Sequence, residues 1–159
     1  MDIYNNDILS FFKTLNQHNV EYILIGGFAT NLHGYARATG DVDIWLHDTI
    51  ENRQQFINAL KELNMEGVEV FTDLPLVAGF CEIMLDNGFY VDIIGMPKGL
   101  EKIGFETCYK DAERPVISGI VIPFLHFNHL IESKKATGRL KDLLDIEELE
   151  KIIRQKDEG

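Results

Sequence analysis

The chain has 159 residues, 45% of them hydrophobic and 26% charged, a length that fits one domain with a buried core and a composition that excludes disordered and fibrous classes. Its 15 Lys and Arg against 26 Asp and Glu leave a net charge of -11, which disfavours general DNA or RNA binding, although a local basic pocket can still hold one triphosphate. The apolar runs are too short to span a bilayer, "MDIYNNDILS" lacks the basic-then-apolar order of a signal peptide, and Cys81 and Cys108 have no metal-type spacing. A cytoplasmic chain with reduced thiols and no membrane partner is therefore expected.

Taken in order, "NDILSFFKTLNQHN" sets Ile8, Leu9, Phe12 and Leu15 at helical spacing and predicts an amphipathic helix. The strand "EYILIGG" follows and ends at Gly26 and Gly27, after which "FATNLHGYA" predicts a short helix closing at Gly34 or soon after. "DVDIWL", residues 41–46, predicts a second strand, and "ENRQQFINALKELN" places Phe56, Ile57, Leu60 and Leu63 on one face of a second amphipathic helix. Two further strands in "AGFCEIMLDNGFYVDIIG" are separated by Asp86-Asn87-Gly88, residue types that favour a hairpin turn. Residues 97–114 are weakly patterned and predict mostly loop, with a helical piece near "GLEKIGFE". "RPVISGIVIPFL" predicts a short hairpin around Gly119, and the remainder predicts helix broken at Gly138. No repeat or low-complexity tract interrupts this single α/β unit, with a core over about residues 1–125 and C-terminal helices over about 126–156.

The chemistry concentrates in residues 24–46 and at Asp92. Side chains at i and i+2 on a strand share a face, with Cα atoms about 6.5 to 7 Å apart, so Asp41 and Asp43 point one way while Val42, Ile44 and Leu46 point to the core. Burying two ionised carboxylates that close without a partner costs several kcal/mol. A divalent cation removes the conflict, and a solvated acid pair on an edge strand is the bland alternative. Asp92, inside the apolar run "FYVDIIG", supplies a third carboxylate if its strand pairs beside "DVDIWL". Such hard oxygen ligands suit Mg²⁺, and two ions roughly 3.5 to 4 Å apart can stabilise the attacking and leaving oxygens of a phosphoryl displacement.

Gly26 and Gly27 allow close backbone approach to a ligand, with a helix N-terminus directly after them. Arg37 can neutralise carboxylates or triphosphate oxygens bidentately, or form a surface ion pair, and the Thr39 hydroxyl can position one such group. Lys134, Arg139, Lys141 and Asp142 fit a solvated helix face laced by i, i+4 pairs, with Arg139 and Lys141 able to reach a nucleotide. His33, His126 and His129 fit packing or surface roles, having no metal-type spacing. Trp45 is expected to be partly exposed, near the site or at an interface.

"GGFATNLHGYARATGDVDI" followed by "VDIIG" resembles the nucleotidyltransferase superfamily typified by DNA polymerase beta, over residues 20–95. "SKKATGRLKDLLDIEEL" is similar to the tail of small bacterial members, among them antibiotic adenylyltransferases and antitoxin-type nucleotidyltransferases. The resemblance implies an α/β (α+β) fold with a mixed sheet flanked by helices and a helical C-terminal segment. It implies Asp41, Asp43 and Asp92 as catalytic residues and metal ligands, with Asp92 the general base, and Gly26 and Gly27 at the triphosphate; the chemistry and placement of Arg37, Thr39, Arg139 and Lys141 add them to the expected nucleotide site. The implied activity is Mg²⁺-dependent transfer of a nucleoside monophosphate from ATP or another triphosphate to a hydroxyl of a small molecule, protein or tRNA. A second copy of the chain or a toxin partner fits the same resemblance, as does a non-catalytic regulator that retains the fold and binds a nucleotide or a partner. Many members carry Gly-Ser where this chain has Gly26-Gly27, so the serine hydroxyl that contacts phosphate is absent.

Overall fold

The computed structural model describes residues 3–86 and 88–158. Met1 and Asp2, which open the N-terminal segment read above, and Asn87, at the centre of the expected Asp86-Asn87-Gly88 turn, lie outside them, as does Gly159.

Helix α1, Asn6–Gln17, starts where the Asn5 side chain accepts the Asp7 and Ile8 N–H groups, donors that the first turn leaves unpaired. Its buried face is Ile8, Leu9, Phe11, Phe12 and Leu15. Strand β1 (Tyr22–Ile25) runs into helix α2 (Gly26–Leu32), strand β2 (Val42–Leu46) follows, and helix α3 (Ile50–Glu62) is capped by the Thr49 hydroxyl accepting from the Asn52 N–H. Strands β3 (Glu82–Met84) and β4 (Tyr90–Ile94) come next, then helix α4 (Phe105–Asp111), the two-residue strands β5 (Val116–Ile117) and β6 (Ile120–Val121), and helices α5 (Phe127–Thr137) and α6 (Leu140–Glu158).

The main sheet has the order β1-β2-β4-β3. β1 and β2 are antiparallel, β2 and β4 parallel, and β3 and β4 antiparallel, which gives the mixed sheet. Parallel neighbours need a long crossover, and α3 lies within the connection from β2 to β4. The apolar residues of β1, β2 and β4 pack with α1 and α3 into the core, where Phe12, Ile23, Ile44, Phe56 and Ile93 are wholly buried. Among the described residues no helix is long and apolar enough to cross a membrane.

The helix break at Gly138 and the hairpin around Gly119 are both present, and backbone geometry explains them. Gly138 takes a φ of +61° between α5 and α6, and Ser118 and Gly119 both take positive φ between β5 and β6. Two expectations are corrected. The helix after residue 97 lies at Phe105–Asp111 rather than over "GLEKIGFE", because Gly104 at a φ of +80° cannot lie inside a helix and instead precedes one. Trp45 is fully buried: it shares a face with Asp43, but at this end of the strand Phe105 of α4 covers that face edge-to-face at 5.3 Å, and the indole N–H donates to the Gly95 carbonyl at 3.0 Å. Cys81 and Cys108 are free and buried, and burial pushes the Cys108 thiol up to about 11.

Asn52 fastens the end of β2 to the start of β1. Its Oδ1 accepts the Glu21 N–H at 2.8 Å, and its Nδ2 donates to the Glu21 and His47 carbonyls at 2.9 and 2.8 Å. Asn52→Ala would leave the Glu21 N–H without a partner, whereas the Glu21 carbonyl keeps the His47 N–H and the His47 carbonyl keeps the Thr49 N–H. A loss of about 1 to 2 kcal/mol is expected, measurable as a lower denaturant midpoint with an unchanged slope.

Candidate active site

Register places the acids. Asp43 on β2 is paired with Asp92 on β4, and Asp92 with Glu82 on β3, so the row Asp43, Asp92, Glu82 leaves one face of the sheet on successive strands. Asp41, two residues before Asp43, lines the same cleft. Asp92 is on the same side of the sheet as Asp43, and Asp41 raises the proton affinity of both.

The glycine turn closes over this row. Gly26 sits at a φ of +69°, and a Cβ there would collide with Oδ2 of Asp43; a Cβ on Gly27 would collide with the Thr39 hydroxyl. Two residues without side chains therefore let the β1–α2 backbone lie directly against Asp43 and against the loop that carries Arg37 and Thr39. The Thr39 hydroxyl also donates to the Asp41 carbonyl at 3.4 Å.

Burial raises the pKa of Asp43 to about 7, aided by the charges of Asp92 and Asp41 and opposed by Lys141 and Arg139. Burial also pushes Asp92 up, against the lowering effect of the Gly79 N–H, which donates to its Oδ2 at 2.9 Å. Oδ1 of Asp92 is buried and has no hydrogen-bond partner. An unpartnered buried carboxylate oxygen beside a second acid of raised pKa suits a hard divalent cation. Among the described residues no three His, Cys, Asp or Glu side chains are already gathered as a metal cage. Mg²⁺ does not require one, since it keeps several waters and takes one or two carboxylates together with substrate phosphate oxygens.

Cations occupy the opposite wall. The Arg37 guanidinium donates to both oxygens of Asp145, at 2.7 and 2.8 Å, and Lys134 Nζ donates to Asp145 Oδ2 at 2.8 Å. Burial alone would raise the Asp145 pKa; the hydrogen bonds from Arg37 and Lys134 hold it below the ordinary carboxylate range. Asp142, also buried, accepts from the Thr137 hydroxyl at 2.8 Å and from the Arg139 backbone N–H and guanidinium. The charge run of α5 and α6 is thus only partly a solvated face: Arg139 and Lys141 are exposed, but Lys134, Asp142 and Asp145 are 5%, 1% and 1% exposed. The reason is the turn at Gly138, which folds α6 onto α5 and places both against the cleft.

The resulting cleft, about 820 Å³, is bordered by Gly26, Gly27, Arg37, Thr39, Arg139 and Lys141 as well as by the three aspartates. Lys134, whose spacing fitted a solvated helix face, also borders it, as does Glu82, which sequence spacing did not single out. For Lys134 the only signal was a partner eleven residues on, across a helix break. For Glu82 it was strand alternation read jointly with Asp92. The histidines take the packing and surface roles expected of them: His33 is buried against Phe124 with Nε2 2.8 Å from the Leu125 carbonyl, His126 caps α5, and His129 pairs with Asp111. Burial lowers the His33 pKa.

No protein-family model and no curated protein matches the sequence. Solved structures do. A protein of Thermotoga maritima assigned to the nucleotidyltransferases superposes with a TM-score of 0.52 at 18% identity, over 94% of this chain and 89% of that one. An antigenic nucleotidyltransferase-like protein of Paracoccidioides brasiliensis superposes with a TM-score of 0.53 at 18% identity, over 93% of this chain and 74% of that one. The fold is that of the nucleotidyltransferases. At this identity the likeness extends to the nucleotidyltransferase fold as a whole, and the chemistry of the cleft rests on its own residues.

The raised pKa of Asp43 has a consequence for stability. The folded protein holds this proton more tightly than the unfolded chain, so the contribution is fully present below about pH 4 and is lost as pH rises through about 7. Asp43→Asn cannot ionise. In divalent-free buffer it is expected to melt above the wild-type protein at pH 8 and level with it near pH 4, as read by thermal denaturation.

Proposed function

We propose that the protein is a Mg²⁺-dependent nucleotidyltransferase that moves a nucleoside monophosphate from a nucleoside triphosphate to a hydroxyl and releases pyrophosphate. The observation that carries this reading is the in-register pair Asp43 and Asp92, flanked by Asp41, beneath a glycine turn and opposite a cationic wall. The nucleotidyltransferase fold supports it.

In this reading the triphosphate lies between the glycine turn and the α5–α6 wall. Lys134, Arg139 and Lys141 meet its charge, and the backbone at Gly26 and Gly27 approaches it without a side chain in the way. Arg37 acts at one remove: its bidentate grip on Asp145 holds α6 against the loop that precedes the aspartates. Asp41, Asp43 and Asp92 would hold Mg²⁺, which when bound supplies charge neutralisation at the phosphates and at the attacking oxygen.

The acceptor oxygen forms a bond to the α-phosphorus as the bond between that phosphorus and the α–β bridging oxygen breaks. The electron pair leaves with pyrophosphate, and the hydroxyl proton passes to the Asp92 carboxylate. Burial raises the proton affinity of this carboxylate, the direction that favours a general base. Most of the remaining acceleration comes from positioning and from the fixed charges of the cleft.

Transfer of label from an α-labelled triphosphate tests the reading. Asp43→Asn and Asp92→Asn are each expected to lower transfer by roughly 10²- to 10⁴-fold, and Lys134→Met to raise the triphosphate KM more than it lowers kcat. Removal of Mg²⁺ with a chelator is expected to abolish transfer. Calorimetric binding of ATP and Mg²⁺ with no pyrophosphate release under any condition would instead support the non-catalytic regulator.

A further inference from the structure

A second concavity, of about 520 Å³, shares no residue with the acidic cleft. Helix α1, helix α4 and the β5–β6 hairpin enclose it. The chain carries 26 acidic residues against 15 basic ones, yet among the described residues no Asp or Glu lines this concavity, and its two charged groups are both cations, Lys13 and Arg114. Arg114 is fixed in place. Its Nη1 donates to the Ala112 carbonyl at 3.0 Å, its Nη2 donates to the Tyr109 carbonyl at 2.6 Å, and the guanidinium carbon lies 4.7 Å from the centre of the Tyr109 ring. That ring is itself stacked on Phe105 at 5.2 Å.

Carbonyls hold a guanidinium without neutralising it, and neither Arg114 nor Lys13 forms an ion pair among the described residues. The acids nearest Arg114 in sequence act elsewhere: Asp111 pairs with His129 at 3.1 Å, and Glu113 bears on His33. The remaining guanidinium N–H groups are therefore open to a ligand. The frame around them is set before any ligand arrives. The Tyr22 hydroxyl donates to Asn16 Oδ1 at 2.9 Å and Asn16 Nδ2 donates to the Val121 carbonyl at 2.8 Å, which ties β1, α1 and the hairpin together. Val20, Ile120, Val121 and Pro123 give the concavity an apolar wall.

A cationic ligand is repelled by both charged side chains. A long polyanion is repelled by the acidic remainder of a protein whose net charge is -11. A small anion gains a fixed counter-charge at Arg114 and a movable one at Lys13. The guanidinium plane and the apolar wall both favour a flat carbon body, and the volume takes roughly one or two rings.

We infer that this concavity is a second ligand site, for a small organic anion that carries one carboxylate or phosphate group on a flat apolar body. The anionic group meets Arg114 and Lys13, and the body lies along Ile120, Val121 and Pro123. The site stands apart from the transferase reading, since no group of the acidic cleft takes part in it.

Binding is read by ligand-observed NMR on the full chain in divalent-free buffer. The probes are 2-naphthylacetate and 2-naphthyl phosphate, their neutral counterparts 2-naphthylacetamide and 2-naphthol, and acetate and inorganic phosphate as competitors without a body. At least one naphthyl anion is expected to bind with a Kd of about 1 mM or tighter, roughly tenfold tighter than its neutral counterpart, and the tighter of the two anions identifies the headgroup. Arg114→Gln is expected to weaken binding roughly tenfold and Lys13→Gln roughly threefold, with Arg114→Lys restoring part of the loss. Lys134→Met, in the acidic cleft, is expected to leave binding unchanged. Thermal melting is the folding control, and Lys13→Gln, at an exposed position, decides alone if Arg114→Gln does not fold. Equal binding of anion and neutral counterpart, binding that survives both glutamine substitutions, loss of binding in Lys134→Met, or displacement by acetate or phosphate at equal concentration would overturn the site, as would no binding of either anion up to about 10 mM.

Discussion

The structure turns on one electrostatic constraint: two carboxylates, Asp43 and Asp92, held side by side in register within an apolar sheet. Ionised together in so dry a place they repel, and the protein answers in three ways. Asp43 keeps a proton to higher pH than a free aspartate, Gly79 donates to one oxygen of Asp92, and Lys141 and Arg139 bring positive charge from across the cleft. None of these meets the last oxygen of Asp92, which stays buried and unpartnered. Residual strain of this kind clusters at sites built to receive a ligand, because the ligand completes what the protein leaves open.

The rest of the architecture delivers those groups. Parallel pairing of β2 with β4 puts Asp43 and Asp92 on one face, and that pairing depends on the long connection through α3. The glycine turn places backbone where any side chain would collide with Asp43 or Thr39. A strongly acidic molecule thus sets Arg37, Lys134, Arg139 and Lys141 in a small wall opposite its acids. Asp145 and Asp142 hold that wall in shape from behind. Buried ion pairs of this sort are weak evidence for stability, because desolvation offsets much of their attraction, but they fix geometry by making every misplacement costly.

Much of this was legible in the sequence because it follows from local periodicity. The alternation of "DVDIWL" and "FYVDIIG" announced which side chains share a face, and the residue types at 26, 27, 119 and 138 announced turns and a break. What local periodicity does not carry was misread. Trp45 obeys the alternation but is covered by α4, an element from sixty residues further on. The charge run of α5 and α6 has ordinary surface spacing, yet Lys134 and Asp145 face each other across a glycine break rather than along one helix. Glu82 shows its place only once β3 is known to lie against β4. In each case the deciding partner is distant in the chain, and pairwise neighbours along one element say nothing about it.

The three-way contact of Arg37, Lys134 and Asp145 ties the connection ahead of the paired acids to both C-terminal helices through a single hidden carboxylate. Loss of that one acid would strand two cations at once, and loss of either cation would shift the remaining load onto the other. Through descent, then, these positions form a unit of inheritance: sequences sharing this architecture should keep all three or exchange them in concert, and solitary replacement at any one of them should be rare.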